Sequence, residues 1–78
     1  MMIDKRVDRI VSIVLGIDID KIPDFTSPTT NDEWDSLHHM MLISEIEKEF
    51  NVTFSVDEAV AIKNIRSIKE LLKQKLKE

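Results

Sequence analysis

The fold is decided by the run Trp34-Asp35-Ser36-Leu37-His38-His39-Met40-Met41-Leu42-Ile43-Ser44-Glu45-Ile46-Glu47-Lys48-Glu49-Phe50. Leu42, Ile43, Ile46 and Phe50 recur at helical spacing and form one apolar stripe, which His39 shares. At about 100° per residue, Leu37, Met40 and Met41 fall on nearly the opposite side. The first half of this predicted helix, residues 36–50, is therefore apolar on two faces. The second face has two readings. It packs under a short third helix through Val60 or Ile62, or it stays open and adaptable as a docking surface. At the start of the run, Asp35 and Ser36 are both good helix caps. If Asp35 fills that role, the Ser36 hydroxyl is free at the positive end of the helix. A phosphate attached there would gain about 0.3–1 kcal/mol from the helix dipole.

Upstream, residues 17–35 show no sustained period. Pro23, Thr26, Ser27, Pro28, Thr29, Thr30, Asn31 and Asp32 are turn formers. A loop this long in a small domain is functional or disordered, and Ile17, Ile19, Ile22 and Phe25 are expected to pin it to the core. Before it, Ile3, Val7, Ile10 and Val14, flanked by Val11, give a helix over 4–15 with one apolar face. Gly16, the only glycine, sits where a left-handed residue would end that helix.

Downstream, residues 51–56 read as a connection with Val52 and Phe54 pointing inward. Asp57 to about Ile62 forms a short helix capped by Ser55 or Asp57. Ser67-Ile68-Lys69-Glu70 has the capping-box pattern and is expected to open a last helix. Its face is Ile68, Leu71, Leu72 and Leu76, and its closing lysines suit the negative end of the dipole. The sum is an all-α fold: a small four-helix bundle of three longer helices and one short, with a long loop between helices one and two.

Seventy-eight residues are expected to make a single domain over 1–78 with one modest core. That favours a binding or carrier module over an enzyme with a large enclosed site. With no cysteine, disulfides and thiolate metal sites are excluded, and a reducing compartment fits. Neither a signal peptide nor a membrane span is legible, so a cytoplasmic protein is expected. The net charge is −4, yet residues 16–35 set Asp18, Asp20, Asp24, Asp32, Glu33 and Asp35 against Lys21 alone. This segment thus exceeds the charge of the whole chain. It argues against nucleic acid and for basic protein partners.

Other chemistry reads poorly. His38 and His39 are adjacent on a helix and diverge by about 100°, so they do not readily share an ion; an exposed His38 and a hydrogen-bonded His39 are expected instead. Asp18, Asp20 and Asp24 match three positions of a calcium loop, but Ile22, Pro23 and Thr29 break the rest of the pattern. Ser36 and His39 lack an orienting third group and an apparent oxyanion site, so catalysis by this chain is not expected.

Asp35-Ser36-Leu37 lies about twenty residues after a first helix. It opens a second helix that closes on Glu49-Phe50-Asn51-Val52, and a short third helix and the Ile68 to Leu76 helix follow. In these features nearly the whole chain resembles the acyl carrier protein family. The resemblance implies a 4'-phosphopantetheine group on Ser36, placed there by a phosphopantetheinyl transferase. The terminal thiol of that arm would hold an acyl or aminoacyl group as a thioester. Partners would recognise the second helix and its flanking loop, here through Asp35, Leu37, Met40, Met41 and Glu47. They would include an adenylate-forming ligase, or an acyltransferase or condensing enzyme, and the carrier is expected to be a monomer. Glu33 stands where fatty-acid carriers commonly have glycine, and His38 and Met41 stand where they have acids. Trp34 resembles the variant found in discrete carriers of aminoacyl, polyketide-like or cell-surface polymer pathways. A specialised pathway is therefore expected, and the faces of the first and last helices, rich in Ile and Val that fill space well, point to small or polar cargo. The alternative is an unmodified helical interaction module that binds through Leu37, Met40 and Met41.

Overall fold

The computed structural model describes residues 3–21, 23, 26–27 and 31–76. Four α-helices follow in order: α1 (Ile3–Leu15), α2 (Ser36–Phe50), α3 (Val56–Ala61) and α4 (Ile65–Leu76), with a short 3-10 turn at Ile19–Lys21. There is no strand among the described residues. The small all-α bundle expected from the periodicity is what forms.

The core is built where α1, α2 and α4 meet. From α1 come Ile3, Val7, Val11 and Leu15, from α2 Leu42, Ile46 and Phe50, and from α4 Ile65, Ile68 and Leu72. The connecting segments add Trp34, Phe54 and Ile62. By contrast, α3 buries no residue of its own. Gly16 has φ +68° and ends α1 as expected, because a side chain is disfavoured in that left-handed conformation. Asn51 does the same for α2 at φ 55°, a conformation that asparagine tolerates better than most residues.

Polar contacts fix how the helices meet. Arg6 on α1 reaches Glu49 on α2 at 2.8 Å (Nε to Oε2), donates to its carbonyl at 2.9 Å, and lies 4.4 Å over the Phe50 ring. Lys69 on α4, itself buried, pairs with Asp8 on α1 at 3.0 Å. The lysine's aliphatic stem can line the core while its head meets the carboxylate.

Two expectations are corrected here. The last helix starts at Ile65, ahead of the Ser67 box. Asn64 Oδ1 accepts from the Ser67 backbone N–H at 2.8 Å, and Ser67 Oγ accepts from the Asn64 N–H at 3.0 Å. Ser67 is thus the third-position partner in a box whose cap is Asn64, and the earlier start draws Ile65 into the core. The loop is also pinned differently. Ile17 packs against the core, but Ile19 is exposed. The Asp18 carboxylate accepts from the Asp20 N–H at 3.0 Å and tightens the chain into the 3-10 turn that carries Ile19. A backbone bond ties the loop further on: the carbonyl of buried Thr26 accepts from the Ile65 N–H at 3.1 Å. Ile22, Phe25, Asp24 and Thr29 lie outside the described residues.

Candidate functional site at the start of helix two

Asp35 has extended backbone angles (φ −96°, ψ −173°), and its carboxylate accepts from the His38 N–H at 2.9 Å. It is the N-cap, so the helix has no need of the serine oxygen. The His38 ring lies 2.7 Å from the same carboxylate oxygen. The His38 backbone N–H first, and then its ring, hold the Asp35 carboxyl below the usual aspartate value.

Ser36 is the first residue of α2 and is exposed. Among the described residues its hydroxyl has no hydrogen-bond partner. The first-turn N–H groups, unpaired within any helix, are directed toward this end. An open groove lined by Trp34, Asp35, Ser36, His39 and Met40 begins here.

The indole of Trp34 forms the back of the site. Trp34 is 2 % exposed and stacks on His39 with ring centroids 6.0 Å apart. Its Nε1–H donates to His39 Nδ1 at 2.9 Å, and His39 Nε2 lies 2.9 Å from the carbonyl of Ala59 on α3. An indole only donates and a carbonyl only accepts. His39 therefore carries its proton on Nε2 and accepts at Nδ1. The hydrogen-bonded His39 expected from the sequence is found, but its two partners were not foreseen. In the sequence Trp34 stands out only as a mark of resemblance; a large aromatic directly before a helix cap is the available signal that it anchors the loop.

The second apolar face of α2 is open. Leu37 is 64 % exposed, Met40 71 % and Met41 43 %. Neither residue expected to cover it does so: Ile62 is buried in the core and Val60 is exposed. Glu47, further along α2, is half-buried. Its carboxylate accepts from the Phe54 N–H at 2.8 Å and fixes the α2–α3 connection.

These features gather an exposed hydroxyl, a filled cap and an apolar rim at one helix end. A family model described as phosphopantetheine attachment site matches residues 5–72 of this chain. The chain belongs to this family. It is a phosphopantetheine carrier protein of the acyl carrier type, and its cofactor is covalently attached 4'-phosphopantetheine. The site fits such a group: an unpartnered, exposed oxygen opens onto a groove, with the positive end of a helix behind it. Carrier domains of this kind engage a transferase and partner enzymes. No helix among the described residues is long and apolar enough to cross a membrane.

Proposed function

We propose that Ser36 is the residue that bears the arm, and that the protein serves a specialised biosynthetic pathway in the cytoplasm as a carrier with no catalysis of its own. When bound, the arm supplies a terminal thiol that holds an acyl or aminoacyl group as a thioester. One observation carries the assignment: the Ser36 hydroxyl is exposed and unpartnered because Asp35 already caps α2. Ser36 supplies the acceptor oxygen. Asp35 keeps the first turn of α2 formed, and the helix end favours the phosphate charge. The base and metal for the transfer belong to the transferase.

Leu37, Met40 and Met41 form the surface on which the transferase and later partners dock, with Asp35 and Glu47 as its acidic flanks. A ligase of the adenylate-forming kind, or an acyltransferase or condensing enzyme, loads or uses the cargo.

The test is intact mass after incubation with coenzyme A and a broad-specificity phosphopantetheinyl transferase. The wild-type chain gains the mass of the arm, and Ser36→Ala gains nothing while keeping its helical circular dichroism. No gain with several transferases sinks the assignment. A second reading draws on the open apolar face: an interaction module that uses the same patch without modification. It predicts that Met41→Glu abolishes partner binding while Ser36→Ala leaves it intact.

A further inference from the structure

The two ends of α3 are anchored by the core residues Phe54 and Ile62, but the helix itself buries nothing. Among the described residues, two side chains from other helices hold the helix itself. Lys75 on α4 pairs with Glu58 at 2.8 Å, and His39 on α2 meets the Ala59 carbonyl at 2.9 Å. Of these, only the His39 contact spans the seam between α2 and α3. It is also the only one backed by a buried aromatic, because Trp34 donates to the other ring nitrogen. The indole N–H, the imidazole and the carbonyl form one chain of hydrogen bonds across the seam.

Two grooves meet at this point. The one that starts at Ser36 ends on His39 and Met40. A second continues from His39 and Met40 past Ile43 and Ser44 to Glu47 and Ala59. Both are open at the surface, and His39 forms part of the lining they share. Behind this point lie Leu42 and Ile46, each with no exposed surface. Anything tethered at Ser36 can therefore lie along the outside of α2. To go inward between α2 and α3 it must part His39 from Ala59 and break the hydrogen bond between these half-buried groups.

We infer that the Trp34–His39–Ala59 chain is a latch that keeps α3 closed on α2, and that it sets cargo class by holding the carried group on the outer groove. His39 is the positioning residue. The groups that suit such a carrier are short or polar acyl and aminoacyl groups, which gain little by entering a core. This inference rests on the assignment of the arm to Ser36.

The experiment compares wild-type protein with His39→Leu and His39→Gln. Leucine keeps apolar bulk without either hydrogen bond, whereas glutamine can donate to Ala59 and accept from Trp34. Amide exchange of residues 56–62 is measured first, on unmodified protein. Loss of the latch in His39→Leu is expected to speed exchange there about tenfold, the equivalent of one hydrogen bond, with α1 unchanged; His39→Gln restores most of the protection. In the wild type, the imidazole nitrogen spectrum shows the proton on Nε2. Each protein is then loaded with acetyl- or hexanoyl-phosphopantetheine, checked by intact mass, and its amide spectrum recorded. In the wild type the two cargos leave the amides of Leu42, Ile46 and Ile62 alike; in His39→Leu the hexanoyl form shifts them. Hexanoyl-dependent shifts at these amides in the wild type overturn the inference, as does unchanged exchange in His39→Leu. Failure to load at all overturns the Ser36 assignment and the cargo conclusion with it, while the exchange comparison still decides whether the latch exists.

Discussion

Helices α1 and α3 are held in place by different physics. Four residues of α1 are buried, at 3 % exposure or less, along one continuous stripe. None in α3 is buried, and Val56 and Val60 are 79 % and 71 % exposed. The first helix is stabilised by apolar area removed from water. The third depends on its cap, its two flanking anchors and the polar ties to His39 and Lys75. Area is insensitive to small displacements, whereas a hydrogen bond is lost over about an ångström. One small domain thus contains one wall held by buried area and another held by polar ties, and the candidate attachment site lies on the helix between them. Protection against exchange should follow the same division, high in α1 and low in α3.

The largest expected effect is on the wall. Leu15→Ala should cost about 2–5 kcal/mol, measured by urea denaturation, because it opens a cavity in the buried cluster to which Leu15 belongs. A loss below about 1 kcal/mol would show that α1 is less tightly packed than its burial implies.

Next comes the cap of α3. Ser55 Oγ accepts from the Glu58 N–H at 3.1 Å, and Glu58 returns a bond to the Ser55 N–H at 2.8 Å. Ser55→Ala should loosen α3 by about 1 kcal/mol. The loss should appear as faster amide exchange within residues 56–61, with the α1 amides unaffected. Exchange that rises equally in both helices would mean that they open as one unit and would remove the distinction between them.

The contrast also explains what the sequence could reveal. Helices α1 and α2 were legible because burial writes a period: Val7 and Val11, or Leu42 and Ile46, recur at the spacing of one face. The left-handed Gly16 was legible, and the cap of α3 was narrowed to Ser55 or Asp57, because only a few residue types suit such positions. Ser36 stood out for the same reason. What stayed hidden were hydrogen bonds between side chains and segments that no periodic pattern marks. Nothing local pairs Trp34 with His39, or His39 with Ala59, since hydrogen bonds between segments leave no periodic trace. The start of α4 is ambiguous in the sequence for a related reason. Asn64 and Ser67 are both cap-forming residues three apart, and only the bond directions tell the cap from its partner. Exposure of the Leu37, Met40 and Met41 face was equally undecidable, because it depends on where α3 sits.

Acid should act on the same division with a smaller effect. The Lys75 ammonium, and then the Ser55 N–H, hold the Glu58 carboxyl below its usual value. A depressed native pKa means that the unfolded chain binds the proton more readily. The stabilising contribution is therefore complete above the ordinary glutamate value of about 4.3 and disappears as pH falls through the lower native one. Asp35, also held below the ordinary aspartate value of about 3.9, behaves alike at the start of α2. Exchange in α3, corrected for its intrinsic pH dependence, should rise below about pH 4, and Glu58→Gln should flatten that rise. A rise that persists in the variant would assign the acid sensitivity to other carboxylates.

The smallest effect should come from the exposed side of α3. Val60→Ser removes apolar surface that is already in water, so its effect on stability should stay within about 0.5 kcal/mol of zero, in either direction. Any gain would come from the slightly better helix propensity of serine over valine, and any loss from the van der Waals contacts that a 71 % exposed side chain still makes. The measurement is the urea midpoint at two protein concentrations tenfold apart. A cost well above about 1 kcal/mol, independent of concentration, would mean that α3 buries Val60 in solution and that both helices are held by area after all. A cost that grows with concentration would mean that a second copy covers this face.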